Sequence, residues 1–133
     1  MSQTRIAIAG SAGRMGRTLI EAVLAADDMV LGGAFDVEGC AAVGRDAGEM
    51  LGASTGVVIG ADAGEAIGRA DCLIDFTRPA GTLRHLAICR EKGVAAVIGT
   101  TGFDAAGKRE IEAAARDIAI VFAPNMSVGV NLV

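Results

Sequence analysis

The sequence predicts an α/β domain: a parallel sheet wound on both faces by helices. Short apolar runs alternate along the 133 residues with longer stretches of helical period, the pattern of strands joined by crossover helices. Several runs are apolar throughout, as strands covered on both faces must be. A glycine-rich turn, GSAGRMG at residues 10–16, separates the first run from the first helical stretch. A chain of this length can bury roughly two-thirds of its unfolded surface and fits one domain.

Strands are expected at 5–9, 29–35, 56–59, 72–76, 95–98 and 118–122, and helices at 14–26, 65–70, 79–92 and 104–116. Pro79 suits a first helical position, where its missing N–H is not needed, and Gly93 suits the residue just past the helix end. In that helix Leu83, Leu86, Ala87 and Cys89 are expected to form the apolar stripe. Residues 37–55 follow neither period and read as a loop, with one turn around 46–50.

Composition excludes several classes. The net charge is −4, with no Trp, no Tyr and four Phe, so the chain lacks the basic surface and stacking aromatics that nucleic-acid binding uses. No stretch approaches the roughly 18 apolar residues of a membrane span, and the start reads as a first strand instead of a secretory leader. Cys40, Cys72 and Cys89 form no C-x-x-C pair and read as reduced, mostly buried thiols of a cytoplasmic protein. No metal-ligand cluster, paired carboxylates or Ser/His/Asp arrangement stands out, so no catalytic or metal-binding residue is assigned. His85, the only histidine, reads as a solvated or internally satisfied helical residue, and Arg17 as a side chain solvating its helix.

Ligands of open parallel sheets bind beyond the carboxyl ends of the strands. Gly10, Ser11, Ala12, Gly13, Arg14 and Met15 lie at the first such end, Asp36 at the second, Gly99, Thr100 and Thr101 at a later one, and Ala123, Pro124, Asn125 and Met126 at the last. The turn has the spacing G-x-x-G-x-x-G, not the usual G-x-G-x-x-G of a Rossmann dinucleotide site. It still leaves Gly10 free for a positive φ and aims helix N–H groups at a pyrophosphate. Asp36, twenty positions after Gly16, suits the hydroxyls of an adenosine ribose. Each stretch also has a plainer reading: a tight turn, a loop Asp, a cap for the helix beginning near Asp104, a linker with Ser127 as its cap.

In order and spacing, GSAGRMGRTLI, IDFTRPAGTLRHLAICREKG, VIGTTGF and IAIVFAPNMSVGVNL resemble the amino-terminal domain of the 4-hydroxy-tetrahydrodipicolinate reductases, formerly dihydrodipicolinate reductases, of bacterial lysine and diaminopimelate synthesis. The resemblance covers essentially the whole chain. It implies a Rossmann-like, doubly wound cofactor domain at 1–126, with 127–133 beginning a linker, in a reductase that passes hydride from NADH or NADPH to a cyclic imine dicarboxylate. It places the pyrophosphate on residues 10–15, the ribose on Asp36, the nicotinamide and a substrate carboxylate by Gly99, Thr100 and Thr101, further cofactor contact at Ala123 to Met126, and Phe76 and Arg78 near the cofactor.

The family's proton donor and dicarboxylate-binding basic residues lie in a second, His-rich domain. No such segment occurs here, so the chain is expected to be an isolated cofactor domain that binds NADH without turning over. The parent is expected to be a homotetramer. Family members that accept NADPH readily often carry a basic residue after the ribose acid; Val37 stands there, so NADH is the expected preference. Two alternatives remain: a non-enzymatic NAD(H) sensor, and the cofactor domain of another dehydrogenase of aspartate-derived metabolism.

Overall fold

A computed structural model describes residues 3–122. Five strands, β1 (Thr4–Ala9), β2 (Met29–Phe35), β3 (Cys72–Asp75), β4 (Ala95–Ile98) and β5 (Ile120–Phe122), form one sheet in the order β2-β1-β3-β4-β5. All four pairings are parallel. The helices are α1 (Arg14–Ala25), α2 (Ala63–Gly68), α3 (Pro79–Lys92) and α4 (Ala105–Ala114). The Rossmann-like doubly wound fold expected from the alternation is therefore present, and the order reverses between β1 and β3, where such sheets open a crevice for ligands.

Alternate residues of β1 enter two cores, one on each face. Ile6 and Ile8 join Ile20 and Val23 of α1 with Leu31 and Ile59. Ala7 and Ala9 join Ile67, Leu73, Leu86, Cys89 and Ile98. Ile8, Ile20, Ile67, Leu73 and Ile98 are fully enclosed, each worth about 1.5–3 kcal/mol relative to exposure. The small residues of β1 and β2 let helices approach: a Cβ on Gly33 would strike the backbone of Ala66 in α2. The register of β1 and β2 slips between Ile6 and Ala7, leaving Gly32 unpaired between Leu31 and Gly33.

Two expectations need correction. Residues 56–59 do not form a sheet strand. Gly56 takes a positive φ of 78°, and only single bridges occur, Val58 with Asp46 and Gly60 with Phe35. Flanking glycines and an exposed Val58 leave too short an apolar run to propagate a ladder. In α3, Ala87 is exposed and the inward row is Thr82, Leu86 and Cys89, so a hydroxyl takes a place the pattern gave to an apolar group. Cys89 is inert there: burial, then the charges of Asp75 and Cys72, push its thiol up to about 12.

The irregular stretch 37–55 is ordered around one carboxylate. Asp46 accepts from the N–H groups of Gly48 (2.8 Å), Thr55 (3.0 Å) and Gly56 (2.9 Å) and from the Thr55 hydroxyl (3.1 Å). A 3-10 turn follows at Glu49–Leu51, near the place expected. The bonds from Thr55 and Gly48 hold the Asp46 carboxyl below its ordinary value. The stabilisation is thus present above the usual carboxyl range near 4 and is lost as pH falls through the lowered value. Asp46→Ala is expected to lower the exchange protection of the Gly48, Thr55 and Gly56 amides, relative to their intrinsic rates at the same pH, and acid is expected to lower it likewise in the wild type; unchanged protection in the variant would show that the loop is held otherwise.

Candidate functional site

The turn between β1 and α1 closes on itself before it meets anything else. Gly10 takes φ 67°, which a β-carbon would strain. Ser11 is buried, with its hydroxyl donating to the Ile8 carbonyl (2.8 Å) and its N–H to the Phe35 carbonyl (3.1 Å). Gly13 donates to the Gly10 carbonyl (3.1 Å) and is the N-cap of α1, with no side-chain cap and no acidic residue in the first turn. The first amides of α1 therefore lack side-chain acceptors, and the helix dipole adds positive potential there. This end of α1 is ready to take an anion.

Asp36 follows β2 directly beside this turn. One carboxylate oxygen accepts the Ala12 N–H (2.9 Å) and the other the Val37 N–H (2.8 Å). Each oxygen has a further lone pair for a hydroxyl. Asp36 is only part-buried, so its free side opens outward. The acid at the end of β2 and the glycine turn, 24 positions apart, are thus in direct contact, as the motif and its spacing imply.

A groove of about 980 Å³ runs over the ends of β1, β2 and β3, lined by Gly10, Gly13, Asp36, Phe76, Thr77 and Arg78, with further residues of α3 including Arg84 and His85. It lies at the upper end of the size range for small-molecule sites, about 300–1,000 Å³. Phe76 and Arg78 are both on its wall. Arg14 is exposed and Met15 half-buried at the start of α1.

The Gly99–Thr101 stretch divides its two hydroxyls. Gly99 is buried, and a β-carbon there would overlap the Phe76 ring. Thr100 is turned inward at 2% exposure, with its hydroxyl 2.8 Å from that of Thr82 and accepting the Thr77 N–H (3.0 Å). Thr101 is exposed. Of the two threonines that the resemblance places by the nicotinamide and a substrate carboxylate, only Thr101 offers a free hydroxyl, and Thr100 offers its backbone. Asp104 caps α4 by accepting the Gly107 N–H (2.7 Å), so the loop both ends a strand and starts a helix.

His85 proves satisfied within the fold: its Nδ1 lies 2.7 Å from Oδ2 of the fully buried Asp75, and its ring meets Phe35 edge-on. Arg17 does not simply solvate α1. It is half-buried, with an enclosed Nε that lacks a partner. Asp75 and Thr82 were not singled out in the sequence; the period of 82, 86 and 89 in α3 was the available signal for Thr82. Ala123, Pro124, Asn125, Met126 and the segment 127–133 lie outside the described residues. Among the described residues no group of three or more metal-ligating side chains occurs, and no helix is long and apolar enough to cross a membrane.

A strand-to-helix glycine turn, a carboxylate at the next strand end and a groove at the point of strand reversal define a dinucleotide-binding α/β domain of the oxidoreductase type. The family model described as dihydrodipicolinate reductase, N-terminus, matches residues 4–126. The chain belongs to the dihydrodipicolinate reductase family and corresponds to its amino-terminal, cofactor-binding part. It is 58% identical over 132 residues to the 4-hydroxy-tetrahydrodipicolinate reductase of Dechloromonas aromatica (strain RCB), covering 99% of this chain and 49% of that protein. Over 133 residues it is 61% identical to the reductase of the same name from Aromatoleum aromaticum, covering 100% of this chain and 48% of the other. Among solved structures, a dipicolinate-bound dihydrodipicolinate reductase from Paenisporosarcina sp. TG-14 superposes with a TM-score of 0.76 at 25% identity, covering 96% of this chain and 49% of that one. The chain spans about half the length of the curated relatives it matches. This membership groups it with the reductases ahead of the sensor and the other dehydrogenases.

Proposed function

We propose that the chain holds NADH in the groove over β1, β2 and β3, and that the longer protein to which such a domain belongs reduces the cyclic imine dicarboxylate 4-hydroxy-tetrahydrodipicolinate in lysine and diaminopimelate synthesis. The observation that carries the reading is the contact between Asp36 and the glycine turn, which sets a hydroxyl-binding carboxylate beside an uncapped helix N-terminus. In this reading the amides of residues 10–15 bind the pyrophosphate, with the Arg14 guanidinium alongside. Asp36 takes the ribose hydroxyls. Gly99, the Thr100 backbone and the Thr101 hydroxyl take the carboxamide end, and Ala123 to Met126 complete that end. Gly99 lets the Phe76 ring close over this end without a side chain between them.

Bound there, the reduced nicotinamide supplies the hydride. The residues of this chain bind and orient it, and a second domain supplies the proton that accompanies the hydride and the cations that hold the two carboxylates. A homotetrameric parent in the cytoplasm belongs to the same proposal. Fluorescence titration of the chain with NADH is expected to show saturable 1:1 binding, with no oxidation of NADH when the cyclic imine is added. Absence of saturation up to millimolar NADH would contradict the reading, as would turnover at the rate of an intact two-domain reductase, since positioned acid catalysis is typically worth about 10²–10⁴-fold.

A further inference from the structure

Thr82 touches neither the glycine turn nor Asp36, yet it sits where three segments converge. Its hydroxyl is 2.8 Å from that of Thr100 in the β4–α4 loop and 3.5 Å from that of Thr77 after β3. Thr77 in turn gives its hydroxyl (2.6 Å) and its N–H (3.0 Å) to Oδ1 of Asp75, whose Oδ2 faces His85. The Thr100 hydroxyl also reaches the Asp75 carbonyl (3.3 Å). Asp75, Thr82 and Thr100 are all at most 2% exposed. Buried polar groups are costly unless satisfied, and here every one is satisfied by another segment, which restricts each to a single rotamer.

We propose that Thr82, backed by Asp75 and Thr77, is a positioning residue for the nicotinamide end of the groove. It holds the Thr100 hydroxyl inward while Thr101 beside it is exposed, and so sets the backbone that runs from Gly99, packed against Phe76, to Thr101. His85 carries the same network to the groove floor, where its ring packs on Phe35 next to Asp36. The inference rests on the cofactor reading above, specifically on the nicotinamide lying by residues 99–101. It adds that a hydroxyl on α3, with no ligand contact of its own, sets that end's geometry.

ADP-ribose shares the adenosine, pyrophosphate and second ribose of NADH but lacks the nicotinamide, so the ratio of the two affinities isolates the end that Thr82 serves. Thr82→Val preserves the shape and deletes the hydroxyl. NADH affinity is expected to fall about tenfold while ADP-ribose affinity stays within about twofold, and Thr82→Ser is expected to restore the wild-type ratio. Asp75→Asn, tested by the same titrations, is expected to reduce the ratio in the same direction and serves if Thr82→Val does not fold. Equal losses for both ligands in the folded variants would reduce the network to plain structural support and overturn the proposal, as would an unchanged ratio. Equal affinity of the wild type for NADH and ADP-ribose would also overturn it, by removing the nicotinamide contact it is said to hold. A wild type that binds neither ligand would overturn the cofactor reading itself, and this proposal with it.

Discussion

Gly16→Ala is expected to destabilise the domain by about 2 kcal/mol and to weaken NADH binding at least tenfold. Helix propensity alone gives the opposite sign, since Ala exceeds Gly by about 1 kcal/mol inside a helix. At this position the new β-carbon would lie 2.8 Å from Ser11 Cα and 2.9 Å from its carbonyl carbon, and closer still to the Gly10 oxygen. These are backbone atoms of a turn pinned by the Ser11 N–H on Phe35 and the Gly13 N–H on Gly10, so they cannot swing aside as a flexible side chain would. Helix α1 must retreat, loosening Ile20 and Val23 from the core and carrying its first amides away from the anion. Over-packing of this kind typically costs about 1–3 kcal/mol. Thermal unfolding and NADH titration of the variant check both effects; a variant more stable than the wild type would show that α1 does not depend on this close approach.

The second large effect concerns the choice of cofactor. NADH is expected to bind about tenfold more tightly than NADPH. The 2′-phosphate of NADPH brings close to two negative charges against the Asp36 carboxylate. Each like-charge pair at about 4 Å is worth on the order of 4 kcal/mol at an effective dielectric near 20, before salt and solvent reduce it. A surviving 1.4 kcal/mol is a tenfold preference. Val37 is 71% exposed, so it is not committed to the core, but it offers no donor to a phosphate. Arg45, the cation in the following loop, instead faces Glu49 at 3.8 Å. Arg78 and Arg84 lie on the α3 side of the groove, and in the proposed pose they face the pyrophosphate, which both dinucleotides share. Asp36→Ala is expected to weaken NADH about tenfold and bring the two cofactors within about threefold, while Val37→Arg raises NADPH affinity several-fold. Equal or tighter binding of NADPH by the wild type, or no relative gain in Val37→Arg, would show that these two positions are not the discriminator.

The legible parts of this protein were those governed by local pattern. Residues 29–35 and 95–98 read as strands because an unbroken apolar run is what a doubly covered parallel strand requires, and both match the structure. Pro79 and Gly93 bounded α3 because one lacks an N–H and the other adopts the left-handed conformation, φ 70°. Gly10 was legible because the turn requires a positive φ, and the place of Asp36 beside that turn because the spacing of strand, turn and next strand end fixes it. Residues 56–59 failed because β-propensity in a four-residue run says nothing about whether a neighbouring strand edge is free; here the segment bridges to residues 46 and 35 singly. The partners of Thr100 and His85 were illegible for a different reason. Their hydrogen-bonding partners come from three segments of the chain, and which way a threonine turns in a loop is decided by those tertiary partners, not by the loop's own sequence.

Amide chemical-shift mapping during an NADH titration tests most directly the claim that the groove over β1, β2 and β3 holds a nicotinamide dinucleotide. The account predicts saturable shifts centred on residues 10–16, Asp36 and Val37, and residues 99–101, with the shifts at 99–101 absent when ADP-ribose replaces NADH. Saturable shifts confined elsewhere, such as the small hollow formed by Asp62, Glu65 and Arg69, or no shifts at saturating ligand, would contradict it.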